Sequence, residues 1–363
     1  MKYQHISVGL ILLLTTGGVL LLVADVLIVP RFLEKSLSRE QLLVGVTAIP
    51  HQELHGERIN TLGFVGNEIT AGNDSNEFIR VVTLGGSTMF LRNMTQKVRS
   101  ELSDLFPNHT IEVLGAALPT HDSWLSTIKY DYLRDKVNAD YVVIYHGIND
   151  LWANNVPSHE YFRDDYAYIS PFHRRSWVLD HSLVARHIYK TAWNLEKWMW
   201  KKTGRVFHIF NGASYETVRT LTSNVASIVR KAREDGAEPI LMTFAWHLAD
   251  GYTEEKFVAR ELGYASDQVP EGCCGVNVWG PVEYVTEGLV RHNEALRNLG
   301  RSENVTMVDQ HSLLSLEIAN FQDICHFSEM GARRFARNLA EAIAARHTQA
   351  RSANQVSSIS DRT

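Results

Sequence analysis

Residues 79–88 read IRVVTLGGST, a short β-branched run that ends in two glycines and a serine. The run is apolar apart from Arg80 and two threonines, which is typical of a buried strand. Gly85 and Gly86 permit a tight turn, and Ser87 opens the helical segment that comes next. This order of strand, turn and helix predicts an α/β domain.

The same order recurs along the chain, with β-branched runs alternating with segments of helical spacing. Such alternation predicts a parallel sheet with helices on both faces. We therefore expect a three-layer α/β/α sandwich around a five-stranded parallel sheet. The predicted strands cover residues 79–84, 111–114, 141–145, 239–243 and 305–308, and the predicted helices cover residues 95–105, 124–136, 215–234, 282–299 and 329–346.

Composition excludes several classes of protein. The chain has 363 residues, 45% of them hydrophobic, so it can bury a substantial core. Its 36 Lys and Arg residues against 41 Asp and Glu residues give a net charge of −5, which offers no cationic field for nucleic acid. Three cysteines are too few for a disulfide scaffold or a paired-cysteine zinc site. No metal or cofactor is indicated.

The N-terminal residues 6–29 form an apolar run whose only charge is Asp25. A helix of this length spans the roughly 30 Å of membrane hydrocarbon. We expect an uncleaved transmembrane anchor; a cleaved signal peptide and a buried core helix are the alternatives. Lys2 precedes the run and three basic residues follow it, so charge counting alone favours an inside location for the rest of the chain.

The chain divides into an anchor (1–29), a glycine-punctuated neck or lead-in (30–75), a main domain (76–348) and a disordered tail (349–363). Two stretches interrupt the main domain. Residues 151–212 hold five of the eight tryptophans and a basic helical part, and they could form a cap, a helix at the membrane interface or an extra core helix. Residues 246–280 resemble a loop and carry Cys273 and Cys274.

Polar residues and glycines follow the first three predicted strands. Ligands of open parallel sheets bind at the carboxyl ends of strands. Ser87 follows the first strand and could be an exposed nucleophile or simply an N-cap. Gly115 follows the second and lets its amide approach a ligand. Asn149 follows the third and could form a turn or present its side-chain NH2 to an oxyanion.

Asp323 and His326 stand three residues apart just before the last predicted helix. A carboxylate at this spacing can fix the tautomer of the imidazole and support its protonated form. One loop could therefore supply both a general base and its orienting acid, although a purely structural contact is the alternative. Cys325, between them, could also be a nucleophile, but neighbouring side chains on a turn usually point apart.

The ordered set of a glycine-flanked Ser87, Gly115, the Gly147-Ile148-Asn149-Asp150 segment and Asp323-x-x-His326 resembles the SGNH hydrolase superfamily of GDSL esterases and lipases. The resemblance implies Ser87 as nucleophile, His326 as base then acid, and Asp323 as its orienting residue. It implies an oxyanion hole made by the amides of Ser87 and Gly115 and the side chain of Asn149. Gly86 stands where the family motif Gly-Asp-Ser-Leu has aspartate, as in membrane-linked bacterial branches of the superfamily. Residues 60–64 also resemble the lead-in of those branches.

The resemblance implies acyl transfer without a cofactor. We expect a membrane-anchored serine esterase that hydrolyses or transfers a small acyl group, first of all acetyl, on a carbohydrate outside the cytoplasmic membrane. A lipid-directed esterase or thioesterase and a non-catalytic glycan-binding scaffold are the alternatives. His146, Asp150 and His247 are further candidates for substrate contact or for the core. Outside the membrane, Cys325 could pair with Cys273 or Cys274.

Overall fold

The computed structural model describes residues 47–48, 50–54, 56–69, 78–151, 215–265 and 275–360. Two short strands form an antiparallel pair, and five strands form the predicted parallel sheet, in the order β4-β3-β5-β6-β7. Every predicted strand lies within one residue of an observed one at each end. The strands are β1 (Glu53–Leu54), β2 (Glu57–Arg58), β3 (Phe78–Gly85), β4 (Thr110–Gly115), β5 (Tyr141–Tyr145), β6 (Glu238–Met242) and β7 (Thr306–Val308).

Helices alternate with the strands as predicted. They are α1 (Ser87–Phe90), α2 (Met94–Leu105), α3 (Ser123–Leu133), α4 (Ile148–Leu151), α5 (Thr217–Glu234), α6 (Glu254–Val258), α7 (Val282–Ser302), α8 (Gln310–Leu314) and α9 (Glu329–Ser360). Helix α2 packs against α9, whereas α5 packs against α3 and α7. The two groups cover opposite faces of the sheet, which gives the expected three layers.

The core forms because both faces of the sheet are covered. All five residues of β5 are buried. Val142 and Ile144 face a cluster that includes apolar residues of α3, α5 and α7. Tyr145 points to the other face, where its ring meets Phe335 of α9 edge-on with centroids 4.9 Å apart. Alternate residues of one strand thus serve two helical layers.

Part of the predicted neck belongs to the domain. Phe64 is fully buried and lies in the main core cluster. Val65 forms an antiparallel bridge with Gly115 at the end of β4. The glycines in this segment predicted irregular backbone correctly, but they gave no sign that its apolar side chains fill the core. The lead-in therefore forms part of the structural unit over residues 56–69.

The C-terminal helix is longer than predicted. Helix α9 continues to Ser360, whereas the sequence predicted a helix to residue 346 and a disordered tail over 349–363. No glycine or proline occurs between Gly331 and Ser360, so nothing in the sequence forces the helix to end earlier.

Two interruptions of the main domain and an N-terminal apolar run were also predicted from the sequence. The predicted loop over 246–280 contains α6, capped by Thr253, and a 3-10 turn over Val276–Val278. The insertion 151–212 lies outside the described residues except for Leu151, and so does the apolar run 6–29. None of the helices in the described residues is long and apolar enough to cross a membrane.

The strand order creates a switch point. From β3 the chain first adds β4 on one side and later places β5 on the other. The loops after β3 and β5 therefore leave the sheet side by side, and a crevice at this position is where open α/β sheets bind ligands. Ser87 and Asn149 follow these two strands.

Candidate active site

Ser87 begins α1, directly after a turn that we call the nucleophile turn (residues 85–87). Gly86 has an extended conformation, φ −103° and ψ −154°, so a left-handed backbone does not explain the glycine. Close approach does, because a Cβ at position 86 would lie 2.4 Å from Nδ2 of Asn149. The missing side chain of Gly86 is what lets the Asn149 amide lie beside Ser87.

His326 and Asp323 complete a hydrogen-bonded chain with Ser87. The Ser87 Oγ lies 2.8 Å from Nε2 of His326, and the His326 Nδ1 lies 2.7 Å from Oδ2 of Asp323. Serine and histidine are 239 residues apart in sequence. The structure therefore brings together the three predicted residues in the arrangement that a nucleophile, a base and an orienting acid require.

The loop that carries the base is stabilised largely by its own backbone; we call residues 321–328 the base loop. The Asp323 Oδ1 accepts hydrogen bonds from the backbone N–H groups of Cys325 and His326, at 2.8 and 2.7 Å. Phe321 and Phe327 form an antiparallel bridge across the loop. Because one oxygen is fixed by the backbone, the other is aimed at the imidazole.

The environment of His326 favours its protonated form. Burial disfavours the imidazolium, but the charge of Asp323 and its hydrogen bond together outweigh burial, so the pKa of His326 is raised above the usual value. The ring of Trp279, itself buried, lies beside the imidazole with centroids 6.3 Å apart. Sequence analysis did not single out Trp279, which belongs to the stretch predicted as a loop.

Cys325 is unsuited to be the nucleophile. Its Sγ lies 3.6 Å from Nδ1 of His326, on the side of the ring that faces Asp323 rather than Ser87. Burial and the charge of Asp323 raise the pKa of this thiol well above its usual value, so it stays protonated. The thiol is free within the described residues, and both proposed disulfide partners, Cys273 and Cys274, lie outside them.

Asp323, Cys325 and His326 present donor atoms close enough together to share a metal ion. The same atoms are already used within the base loop, since Nδ1 of His326 bonds Asp323 and the second carboxylate oxygen accepts two backbone N–H groups. A metal would have to replace these bonds. The cluster therefore fits an orienting acid and base better than it fits a metal centre.

Asn149 is positioned to serve an oxyanion. Its Nδ2 donates to the backbone carbonyl of His121 at 2.9 Å, which uses one of the two N–H bonds of the amide. The second N–H remains for a substrate oxygen. Within the described residues, the backbone N–H of Ser87 makes no hydrogen bond, so it can serve the same purpose.

The backbone amide of Gly115 is already hydrogen-bonded and is not available for its predicted role. Its N–H donates to the carbonyl of Val65 at 2.8 Å, and its own carbonyl accepts from the Val65 N–H at 3.2 Å. The amide that the resemblance assigns to the oxyanion hole is therefore committed to pairing with the lead-in. The glycine is required for another reason, since a Cβ there would lie 2.2 Å from Oγ1 of Thr95.

His146 and Asp150 lie behind the catalytic side chains. Both are buried, and Nε2 of His146 lies 2.8 Å from Oγ of Ser126 on α3. Asp150 accepts from the backbone N–H of Ser123 at 3.1 Å. Their contacts are thus to α3, as expected for the core alternative rather than for substrate contact.

His247 supports the base loop. Its backbone N–H donates to the carbonyl of Ile324 at 2.9 Å, and its Nδ1 lies 2.6 Å from the carbonyl of Ser315. Its ring stacks on Phe321. These contacts give His247 a structural function in holding the loop.

A buried polar group that sequence analysis missed lies on α3. Lys129 is fully buried, and Asp122 caps the start of the helix by accepting from the Leu125 N–H. A signal for Lys129 was present, since it lies four residues from both Leu125 and Leu133, within the apolar stripe of the helix. A lysine in such a position needs a partner.

Comparison with known proteins agrees with this geometry. Residues 64–334 match the model of the GDSL-like lipase/acylhydrolase family. No curated protein matches the chain.

Solved structures with similar folds include a lipase/acylhydrolase from Enterococcus faecalis, with 14% identity and a TM-score of 0.40 over 74% of this chain and 96% of that one. The acetyl xylan esterase AlAXEase has 14% identity and a TM-score of 0.42 over 73% of this chain and 100% of that one. A catalytic mutant of the acetylxylan esterase Axe2 from Geobacillus stearothermophilus has 11% identity and a TM-score of 0.41 over 73% of this chain and 94% of that one. Likenesses at this level say nothing about the substrate. The family match covers most of the chain and all of the catalytic residues, and the chain belongs to the GDSL-like lipase/acylhydrolase family of ester-hydrolysing serine hydrolases.

Proposed function

We propose that this protein hydrolyses or transfers a small acyl group, with acetyl as the first candidate, on a carbohydrate. The observation that carries the chemistry is the chain of hydrogen bonds from Ser87 through His326 to Asp323. In such a chain the serine is a nucleophile for an ester carbonyl.

In the first step, the Ser87 Oγ forms a bond to the carbonyl carbon while its proton passes to Nε2 of His326. The carbonyl π electrons move to oxygen and create an oxyanion. Asp323 stabilises the imidazolium that results. The oxyanion then collapses, the alcohol leaves with the proton from His326, and an acyl group remains on Ser87.

In the second step, water attacks the acyl carbon while His326 takes its proton. The bond between this carbon and the Ser87 Oγ then breaks, the proton passes from His326 to the Oγ, and the carboxylic acid leaves. A sugar hydroxyl in place of water would make the same site an acyltransferase. The oxyanion of both steps would be stabilised by the Ser87 N–H and by Asn149, each donor being worth about 3 kcal/mol.

Ala117 is the candidate to replace Gly115 as a third donor. Ala116 donates to Leu114 at 3.1 Å and Leu118 donates to Gly85 at 3.4 Å, so the backbone N–H between them is the one without a partner among the described residues. The Leu118 bond also places this loop against the nucleophile turn.

The choice of substrate rests on sequence features. The apolar run 6–29 would anchor the protein in the cytoplasmic membrane, and the resemblance of residues 60–64 and 85–88 is to membrane-linked branches of the superfamily. A catalytic domain outside that membrane would meet envelope or exported glycans. A reporter enzyme fused after Thr363, active only outside the cytoplasm, tests this location.

The catalytic proposal is tested with p-nitrophenyl esters from acetyl to palmitoyl, using the full chain in detergent and Ser87→Ala beside it. Ser103→Ala is a matched control, because Ser103 is an exposed serine of α2 whose hydroxyl bonds the carbonyl of Arg99 within the same helix. We expect turnover of acetyl and butyryl esters that Ser87→Ala abolishes and Ser103→Ala preserves. Release of acetate from acetylated polysaccharides then tests the substrate class.

One feature favours a second candidate, a lipid-directed esterase or thioesterase. The tryptophan-rich, basic stretch within 151–212 has the composition of a segment at a membrane interface. A preference for long acyl chains in the same series would favour this function. A folded protein without Ser87-dependent turnover in either assay would favour a non-catalytic scaffold.

A further inference from the structure

A buried set of ionisable residues lies behind the catalytic side chains and takes no part in the proposed chemistry. It consists of Asp122 and Lys129 on or beside α3, and His146 and Asp150 around the end of β5. Buried charges are costly unless they are paired or hydrogen-bonded, so four such groups in one place need a reason.

Lys129 connects this set to the nucleophile turn. Its Nζ lies 3.3 Å from the backbone carbonyl of Gly85, which is 44 residues away in sequence. Gly85 is the last residue of β3 and stands two positions before Ser87. The Leu118 N–H also donates to this carbonyl, at 3.4 Å. The Lys129 side chain therefore holds the carbonyl of Gly85 at the start of the nucleophile turn.

The start of α3 also fixes the oxyanion side chain. The carbonyl of His121 accepts from Asn149, and the N–H of Ser123 donates to Asp150, the residue next to Asn149. One short segment of chain thus contacts both elements that must stay aligned, Ser87 through Lys129 and Asn149 through His121.

The two carboxyl groups are incompletely satisfied. Oδ2 of Asp122 and Oδ2 of Asp150 have no hydrogen-bond partner within the described residues. The latter oxygen lies 3.9 Å from Nδ1 of His146, beyond hydrogen-bonding distance. An unpartnered carboxyl oxygen at this depth must be protonated or lie near a positive charge, and the charge of Lys129 acts on Asp122.

We propose that Lys129 is a positioning residue of the active site, which keeps Ser87 aligned with Asn149 through the Gly85 carbonyl, with Asp122 as the buried acid that opposes its charge. The inference rests on the proposed function of the triad. Lys129 touches neither the substrate nor the reacting atoms, so it acts only through the turn.

The electrostatics fit this arrangement. Burial lowers the pKa of Lys129 to about 7, although Asp122 opposes the shift. Burial and the charge of Asp150 raise the pKa of Asp122, and burial and the charge of Lys129 lower that of His146. The protonation states of the set therefore depend on one another, and removal of the lysine alone would take away the cation that opposes the rise in the pKa of Asp122.

Two variants separate positioning from stability. Lys129→Met removes the donor and the charge but keeps the length of the side chain. Lys129→Met/Asp122→Asn also removes the opposing charge, and asparagine caps a helix as well as aspartate does. The control is Arg80→Met/Glu112→Gln, which removes a buried ion pair from β3 and β4 away from Ser87.

For the full chain in detergent, we expect Lys129→Met to lower both the melting temperature and kcat. In the double variant the melting temperature should recover, but kcat for p-nitrophenyl acetate should stay about 10- to 100-fold low with KM within about twofold. The control should lose stability only. Recovery of kcat together with stability in the double variant would overturn the proposal.

Amide hydrogen exchange of the peptide over residues 84–90 measures how well the nucleophile turn is protected, and it needs no substrate. We expect faster exchange in the double variant than in the wild type and the control, and equal exchange would overturn the proposal. If the wild-type protein neither hydrolyses esters nor reacts with a fluorophosphonate at Ser87, the proposed function fails. The exchange result then decides on the positioning role by itself.

Discussion

The base loop and the nucleophile turn each position one catalytic side chain, but they do so through different kinds of contact. In the base loop, Asp323 is fixed by the backbone of residues two and three positions later. In the nucleophile turn, Gly85 contacts Lys129, 44 residues away, and the neighbouring Asn149 bonds His121, 28 residues away. The carboxylate of Asp323 is therefore oriented locally, although His247 supports the loop as a whole, whereas the nucleophile turn is held by residues of α3.

The largest effect should come from the base loop. Asp323→Asn keeps an oxygen for the two backbone N–H groups but removes the charge that orients and supports His326. We expect kcat/KM to fall by about 10⁴-fold with little change in melting temperature. Asp131→Asn, at a half-exposed aspartate of α3, is the control and should have no effect. A loss below tenfold would show that the loop does not depend on this carboxylate.

Beside the nucleophile turn, Asn149→Ala removes the side-chain oxyanion donor. We expect kcat to fall by roughly 10²- to 10³-fold, with KM much less affected, because the interaction strengthens only as charge develops on the substrate oxygen. Steady-state kinetics with p-nitrophenyl acetate measure this. A change confined to KM would place Asn149 in substrate binding instead.

Gly86→Ala tests whether the turn depends on close approach. The added methyl would meet Nδ2 of Asn149, and we expect about a tenfold loss of kcat. In an Asn149→Ala background the same substitution should cost less, since only the contact of the added Cβ with the His121 carbonyl, at 3.0 Å, remains. Equal losses in both backgrounds would mean that the glycine acts on Ser87 directly.

The smallest effect concerns pH. His326 must be neutral to accept the serine proton, and its pKa is raised, so kcat/KM should rise with pH through a midpoint above the ordinary histidine value of 6.5. Because Asp323 sets this pKa, Asn149→Ala should leave the midpoint unchanged. A midpoint that moves with Asn149→Ala would show that the two sides are electrostatically coupled.

The same raised pKa has a consequence for stability. The folded state favours protonated His326, so this contribution to the free energy of unfolding is present below pH 6.5 and is lost as pH rises through the folded pKa. Urea unfolding of the wild type and of His326→Gln across this range measures the difference.

The difference between the two regions also explains what the sequence could predict. The strands and Asp323–His326 followed from short-range patterns, because alternation and a spacing of three residues are visible in the chain itself. The Val65 bridge that occupies the Gly115 amide and the contact of Lys129 with Gly85 join distant segments. No local pattern encodes such pairings, although the lysine within an apolar stripe gave a hint.

Gly86 illustrates the same limit. The sequence analysis took this glycine as a residue that permits a tight turn. The observed reason is a neighbour that follows another strand, since the Asn149 amide occupies the space of a side chain. Sequence alone identified the residue but could not supply the cause.

Strand β4 ends the sheet on one side, and its outer edge would be free to pair with another chain. Val65 occupies the last position of that edge through its bridge with Gly115. The lead-in thereby covers this end of the edge. A shortened form of the protein made for biochemistry should therefore retain residues 56–69, because a chain that begins after Val65 would expose this edge and release the Gly115 amide beside the active site.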